Sequence, residues 1–242
     1  MIMSTGITMT MSKNPAILFR LMTWLSPAFP VGAFSYSHGL EWAAQSGLVR
    51  DGATLEDWIR TGLAHEFGPA NGMLLRQAWE AVQSGNSAAL LEALTEARAL
   101  VATSEFALET TAQGTAFFST LRKASDAFPK LAWAETLTGL SPGPLPYSFA
   151  VGVALAAAGI SLELALTAYF QAMISNLVSA AMRLLPIGQT AGQRVIARLE
   201  EAVVAAAQDA MCRESGDVGT AAPVMELSSI AHETQYTRLF RS

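Results

Sequence analysis

The stretch Leu166–Leu184, LTAYFQAMISNLVSAAMRL, decides the fold class of this chain. Its apolar side chains recur every three or four residues, at Leu166, Phe170, Met173, Leu177, Ala181 and Leu184. This spacing places all of them on one face of an α-helix, whereas a half-buried strand would alternate apolar and polar residues. The stretch therefore predicts a long helix with one face in a core.

The same helical period continues on both sides of this stretch. It includes two further sets of apolar residues: Leu90, Leu94, Ala97 and Val101, and Val195, Leu199 and Val203. The apolar run Phe149–Leu162 is too short and too rich in Ala and Gly to span a membrane, which takes about 20 apolar residues, and is interpreted as a buried helix. No convincing alternating strand is found, so the prediction is an all-α single compact domain of about nine or ten helices.

Pro, Gly and polar residues mark the boundaries within this pattern. Ser26–Ala33 and Ser141–Pro146 are too rich in Pro and Gly for a continuous helix, and neither is long enough to link two domains. Thr54 followed by Asp57 resembles a capping box and predicts a helix start. The predicted organisation is a flexible N-terminal segment at 1–13, a helical domain at 14–213, and a loop with a C-terminal partner-docking tail at 214–242.

Composition limits the function classes. Hydrophobic residues make up 51% of the chain and charged residues only 14%, against roughly 25% charged in typical soluble domains, which predicts association with another protein. The net charge of −5, without a cluster of Lys and Arg, opposes binding to nucleic acid. Segment 1–12 resembles neither a secretory signal nor an anchor, and the single Cys212 excludes an internal disulfide. We therefore expect a cytoplasmic protein with no membrane association.

The segment Ser35–Gly39, SYSHG, superficially resembles the nucleophile elbow of a hydrolase. An elbow has Gly at its first position and follows a strand, and this segment meets neither condition. A triad would also need partners such as His65 and Asp57 to converge on it. A small helical enzyme that uses a Ser/His pair of this segment remains an alternative.

Metal and phosphate sites are not predicted. The three histidines, His38, His65 and His232, have no pair at the short spacing that puts two ligands on one helical turn. Gly188–Gly192 lacks the Lys-Ser/Thr ending of a P-loop and follows a predicted helix rather than a strand. The sequence therefore predicts no catalytic residue, no metal ligand and no resident cofactor.

The C-terminal segment Glu233–Ser242, ETQYTRLFRS, combines the side chains found at binding hot spots and has no acidic residue after Glu233. It offers the apolar anchors Tyr236, Leu239 and Phe240 flanked by Arg238 and Arg241. Partner binding is one interpretation. A helix docked on its own core is the other, because the anchors have near-helical spacing, and a homodimeric structural module with such a tail is a further alternative.

Aromatic side chains also crowd the loop Pro30–Glu41. Phe34, Tyr36 and His38 lie on a segment stiffened by proline, where ordering them in a complex costs little entropy. Burial of these side chains in the core is the rival interpretation.

Three separated segments resemble the family of the urease accessory protein UreF, and the resemblance spans nearly the whole chain. They are Leu25–Trp42, LSPAFPVGAFSYSHGLEW; Pro186–Arg194, PIGQTAGQR; and His232–Ser242, HETQYTRLFRS. Ala33 stands where this family usually has Gly.

The resemblance implies a non-enzymatic, all-helical protein that dimerises and binds a UreD-type (also called UreH) scaffold subunit through its tail. That complex recruits the UreG GTPase to apo-urease for GTP-dependent nickel insertion, so nickel is handled by the assembled complex. The residues predicted to bind partners lie in three segments: Pro30, Gly32, Phe34, Ser35, Tyr36, His38, Gly39 and Glu41; Gly188, Gln189 and Gln193; and Gln235, Tyr236, Arg238, Leu239, Phe240 and Arg241.

Overall fold

The structure, a computed structural model, describes residues 15–124 and 143–242. The predicted N-terminal segment 1–13 lies outside these residues. Within the described ranges the chain forms eleven α-helices and one short 3-10 helix, Ala33–Ser35, and no strand. The helices are α1 (Pro15–Trp24), α2 (Leu40–Gln45), α3 (Gly52–His65), α4 (Phe67–Gln83), α5 (Ser87–Ala99), α6 (Ser104–Lys123), α7 (Tyr147–Ala157), α8 (Leu162–Leu184), α9 (Gln189–Arg198), α10 (Glu200–Cys212) and α11 (Pro223–His232). The all-α prediction is confirmed.

Helix α8 is the centre of the fold. Its predicted apolar face is buried at Leu166, Phe170 and Leu177, and it packs against α2, α3, α4, α7, α9, α10 and the 3-10 helix. By length and composition α8 could also cross a membrane, but half of its apolar window is buried inside the protein, as in the core helix of a compact domain.

Helix α7 is surrounded by other elements, and it packs between α4 and α6. Two glycines allow this close approach, since a Cβ on Gly152 would lie 2.4 Å from the carbonyl oxygen of Leu75, and one on Gly114 would lie 2.0 Å from that of Leu145. The buried helix predicted at Phe149–Leu162 is confirmed in part. That run also includes a turn at Gly159, with φ of 71°, and the first residue of α8.

Two local predictions of helix boundaries were wrong. The capping box of α3 pairs Asp51 with Thr54, not Thr54 with Asp57, because the Asp51 carboxylate accepts the Thr54 N–H at 2.9 Å. The helix predicted through Leu199 is two helices, α9 and α10, which meet at that residue. This break adds a helix, and the described residues contain eleven α-helices against the nine or ten predicted.

The path of the last helix brings the C-terminal end of the chain to the loop that precedes α2. Helix α11 packs on α2 and α6. Gly39 permits this contact, since a Cβ there would lie 3.1 Å from the Ser229 nitrogen of α11. Beyond α11 the chain is not helical, and it returns across the loop that precedes α2.

Candidate functional site

The tail, residues 233–242, lies on the amino-terminal loop of its own chain. The Arg241 N–H donates to the Ser35 carbonyl oxygen at 2.8 Å, and the Ser37 N–H donates to the Ser242 main-chain oxygen at 2.7 Å. The Ser37 hydroxyl donates to the same oxygen at 2.6 Å, across 205 residues of sequence. The tail is therefore self-docked, as one alternative predicted, but as a non-helical segment.

A single carboxylate fixes the middle of the tail. Glu41, at the start of α2, is 6% exposed and accepts the N–H groups of Leu239 at 2.6 Å and Phe240 at 2.9 Å. Hydrogen bonds to an ionised acceptor are about twice as strong as those between neutral groups. Two consecutive tail amides are thus held by one buried side chain.

His232 joins this carboxylate to helix α6. Its Nε2 lies 3.0 Å from the Glu41 carboxylate, its Nδ1 lies 2.7 Å from Glu105, and its side chain is fully buried. The other oxygen of Glu105 accepts the Arg238 guanidinium at 3.0 Å. The last residue of α11 and the tail are therefore tied to α2 and α6 by the same two carboxylates.

His38, a residue of the loop itself, also lies between two carboxylates. Its Nε2 lies 3.1 Å from Glu66 and its Nδ1 lies 3.2 Å from Glu109, while its ring stacks on Phe106 with centroids 3.9 Å apart. Burial by itself would lower the pKa of His38, but attraction and hydrogen bonds from Glu66 and Glu109 outweigh it and raise the pKa to about 10. The ring is therefore an imidazolium at neutral pH.

The two histidine sites and the tail form one network, because Glu109 also accepts the Ser242 hydroxyl at 2.9 Å. We call this network the carboxylate–histidine cluster. It comprises Glu41, Glu66, Glu105, Glu109, His38 and His232, together with the tail groups that they bind. It connects α2, α6 and α11 with the loop and the tail.

The loop reaches the cluster through an unusual backbone conformation. His38 has φ of 55° and is followed by Gly39 at 74°, while Gly32 has φ of 76° before the 3-10 helix. Glycine adopts this left-handed region without steric cost, and a side chain is rarely found there. Gly32 and Gly39 thus have backbone roles, whatever partner contacts they make.

The predicted partner-binding residues divide by exposure. Pro30, Gly32, Phe34, Gly188, Gln189, Gln193, Tyr236, Arg238, Leu239 and Arg241 are exposed, Ser35 and Gln235 are partly exposed, and Tyr36, His38, Gly39, Glu41 and Phe240 are buried. The buried group holds the tail and loop together and faces no partner while the tail is docked. Phe240, expected to supply area to a partner, here packs against its own chain, with Arg183 4.2 Å from its ring centroid. Gly188, Gln189 and Gln193 lie at the start of α9, outside the cluster.

The Ser/His enzyme alternative receives no support from this geometry. Both ring nitrogens of His38 face carboxylates, and the Ser37 hydroxyl donates to the tail backbone. The described residues preceding Ser35 also contain no strand, which an elbow requires.

Comparison with known proteins decides the family. The UreF family model matches residues 49–200. A urease accessory protein UreF from Rhodopseudomonas palustris (strain HaA2) is 48% identical over 233 residues, which is 96% of each chain. Those of Bradyrhizobium diazoefficiens and Azorhizobium caulinodans are 46% and 44% identical over 231 and 236 residues, which cover 96% and 98% of this chain and 94% and 100% of theirs.

The chain belongs to the UreF family. The family resemblance inferred from its three sequence segments is confirmed. Since the relatives are named as accessory proteins of urease, this UreF-family chain is an accessory protein rather than an enzyme.

The substitution Glu41→Gln tests whether the cluster holds the tail. Glutamine removes the charge that binds two tail amides and His232, and breaking one side of a buried ionic contact typically costs about 3–5 kcal/mol. We expect faster hydrogen exchange at the amides of Leu239 and Phe240, with most core helices still protected. Glu200→Gln, at an exposed position, is the matched control. Unchanged tail protection in Glu41→Gln would show that Glu41 does not hold it.

The raised pKa of His38 predicts how stability depends on pH. Because the folded pKa of about 10 lies above the ordinary 6.5, this stabilisation is complete below pH 6.5 and is lost as the pH rises through 10. We expect the free energy of unfolding to exceed that of His38→Gln most near pH 6 and progressively less towards pH 10. Urea denaturation across this range measures the difference. His65→Gln, at an exposed histidine outside the cluster, is the control; a gap that widens with pH would contradict the assignment.

Proposed function

We propose that this UreF-family chain is an adaptor that links a UreD-type (UreH) scaffold subunit, the UreG GTPase and apo-urease during GTP-dependent nickel insertion. In this proposal the tail and the loop Pro30–Glu41 together form the docking surface. The observation that supports the proposal is that the carboxylate–histidine cluster holds the tail and the loop together as one unit. A tail that is buried on one side and open on the other presents a preformed surface to a partner.

The open side of the tail has the composition of an interface. Tyr236 is fully exposed and Leu239 is 60% exposed, although the backbone of Leu239 is fixed by Glu41. Large apolar side chains on fixed backbone are suited to binding, because less conformational entropy is lost when a partner covers them. These two residues are the proposed anchors for the scaffold subunit.

Helix α11 extends this apolar surface. Val224, Leu227 and Ile230 recur every three residues and are between 49% and 60% exposed, which leaves one face of the helix without a cover in the single chain. The opposite face is buried at Met225, Ser228 and His232. This solvent-facing apolar ridge, followed in the chain by the exposed tail anchors, supports a partner interface that includes α11 as well as the tail.

A homodimer is also part of the proposal. Helix α1 exposes Leu18, Phe19 and Met22, each more than 60% accessible, so a second apolar face is open for another copy of the chain. We place the assembly in the cytoplasm, in agreement with the sequence composition.

Nickel is cargo of the assembly in this proposal, and no resident metal is assigned to this chain. Among the described residues, no three His, Cys, Asp or Glu side chains are grouped so that they could hold a metal ion. In the cluster, each histidine faces two carboxylates, one at each of its two ring nitrogens. The two carboxylates and the ring therefore do not converge on one point where a metal ion could bind. We expect equilibrium dialysis of the isolated, untagged chain to detect only weak nickel binding; tight stoichiometric binding would contradict this proposal.

Removal of the tail tests the adaptor function directly. We expect the full chain, co-expressed with the scaffold subunit and the GTPase, to form a complex, and a version ending at Glu233 to fail. Tyr236→Ala separates contact from folding, because the side chain is exposed, and it should weaken binding by about 2 kcal/mol if it is a hot spot. Size-exclusion chromatography with light scattering and a titration measure both effects.

Leu91→Ala, at a partly exposed apolar residue of α5, should bind like the full chain. A homodimeric structural module with a self-docked tail is the second candidate, favoured by the docking of the tail in a single chain. Assembly of the truncated version with all partners would show that the tail is not the docking element, whereas failure of the full chain to assemble would favour that module over the adaptor.

A further inference from the structure

A cavity of about 200 Å³ lies among the loop before α2 and the helices α4, α6 and α8. This volume is enough for a molecule with one aromatic ring, since an engineered apolar cavity of about 150 Å³ binds benzene. We propose that the cavity binds a small organic amine in its ammonium form, with an apolar group about the size of a benzene ring. The site lies within the single chain and is independent of the adaptor function.

The polar end of the cavity has an excess of negative charge. Glu66, Glu109 and His38 line it together and are between 5% and 8% exposed. Two carboxylates around one imidazolium leave one negative charge without a counterion among these three groups. No Lys or Arg of the described part of the chain lines the cavity. Because an uncompensated buried charge is costly, this arrangement favours a cationic ligand.

Glu66 offers a carboxylate oxygen to such a ligand. Its Oε2 lies 3.1 Å from His38 Nε2, whereas its Oε1 forms no hydrogen bond with a described residue. Both oxygens of Glu109 are occupied, since Oε1 accepts the Gln113 amide at 3.1 Å and Oε2 faces His38 and accepts the Ser242 hydroxyl. Buried polar atoms usually have a hydrogen-bond partner. Oε1 of Glu66 is therefore the acceptor that the ammonium group would use.

Two tyrosine rings add a further attraction for a cation. Tyr147 and Tyr169 line the cavity, and their ring centroids lie 5.7 Å apart. The faces of aromatic rings attract ammonium groups, and aromatic cages bind organic ammonium ligands in other proteins. Burial raises the pKa of the Tyr169 hydroxyl well above its ordinary value, and neighbouring charges, including those of Glu109 and Glu66, raise it further. The negative potential of the carboxylates thus reaches this ring.

Most of the remaining lining is apolar and suits a hydrocarbon group. Leu74 of α4, Phe106 of α6, and Met173 and Leu177 of α8 contribute to it. A metal ion is a less suitable occupant, because no three His, Cys, Asp or Glu side chains of the described residues are grouped to hold one. A ligand with an ammonium group at one end and a hydrocarbon at the other matches both parts of the cavity.

Isothermal titration calorimetry of the isolated full chain with benzylamine tests this site. Benzyl alcohol has nearly the same shape without the charge, and benzoate has the opposite charge. We expect benzylamine to bind at least about tenfold more tightly than either, because a charge-assisted hydrogen bond is about twice as strong as a neutral one. Equal affinity for benzylamine and benzyl alcohol, or no saturable binding of benzylamine, would overturn the proposal.

Nα-acetyl-lysine amide distinguishes a free amine from a lysine side chain of a peptide. It carries the same ammonium group, but its two amide groups would face the apolar part of the cavity, where they lose hydrogen bonds to water. We expect it to bind more weakly than benzylamine. Tighter binding would assign the cavity to a peptide and contradict the assignment to a small amine.

Methyl NMR of labelled methionines locates the bound amine. Met173 lines the cavity, whereas Met211, partly buried on α10, lies outside it. Benzylamine should shift the Met173 methyl resonance saturably and leave that of Met211 in place. Binding that does not shift Met173 would place the amine elsewhere on the protein, against the proposal.

Two substitutions in the lining remove different properties of the site. Glu66→Gln removes the charge, so it should weaken benzylamine at least about tenfold and abolish its advantage over benzyl alcohol. Since Glu66 also holds His38, Ala172→Phe serves as the second variant: it fills the cavity from a partly exposed position and should also prevent binding. Ala205→Phe, at an exposed position of α10, is the control and should change the affinity by less than about twofold.

The remaining outcomes are also decisive. Unchanged benzylamine affinity in a folded Glu66→Gln or Ala172→Phe chain would overturn the proposal, and if Glu66→Gln does not fold, Ala172→Phe decides alone. Displacement of benzylamine by a stoichiometric amount of nickel chloride would identify a metal site instead. No partner takes part in these titrations, so each of these outcomes leaves the adaptor function to its own test.

Discussion

The buried carboxylate of Glu41 is the contact on which the docking of the tail depends. It accepts two tail amides and faces His232, so one side chain fixes the tail, the end of α11 and the start of α2. Taken alone, a carboxylate at this depth would pay a large desolvation cost. The hydrogen bonds from the tail amides offset that cost only while the tail is docked. The burial of this carboxylate and the docking of the tail therefore depend on each other.

The rest of the cluster extends the same constraint. Four glutamates surround two histidines and Arg238, so that each of the four carboxylates lies within 3.2 Å of a histidine ring nitrogen. Buried ionic groups contribute less to stability than an apolar core would, but their hydrogen bonds have directions, and they accept few alternative packings. The apolar face of α8 accounts for the compact fold, whereas the cluster specifies where the tail lies on it.

The sequence predicted the fold better than the site, for physical reasons. The period of Leu166, Phe170 and Leu177 is local and sufficed for α8, and the composition of the tail marked it as a segment that is held. Glu105 and Glu109, four residues apart on α6, share a helix face, but a sequence shows no histidine opposite them. Those partners lie 127 and 71 residues away, and only the path of α11 and the left-handed turn at His38 bring them close.

A self-docked tail and a partner-binding tail are compatible, because they use opposite sides of the same segment. Docking buries Phe240 and fixes the backbone of Leu239, while the side chains of Leu239 and Tyr236 stay outside. A free tail would lose conformational entropy on binding, whereas a tail already ordered by Glu41 and Ser37 loses much less. The intrachain cluster therefore raises the affinity of any partner that recognises the outer side, without touching that partner. By the same reasoning, a substitution in the loop that undocks the tail lowers the affinity at a distance, since it restores the entropy that binding must again remove.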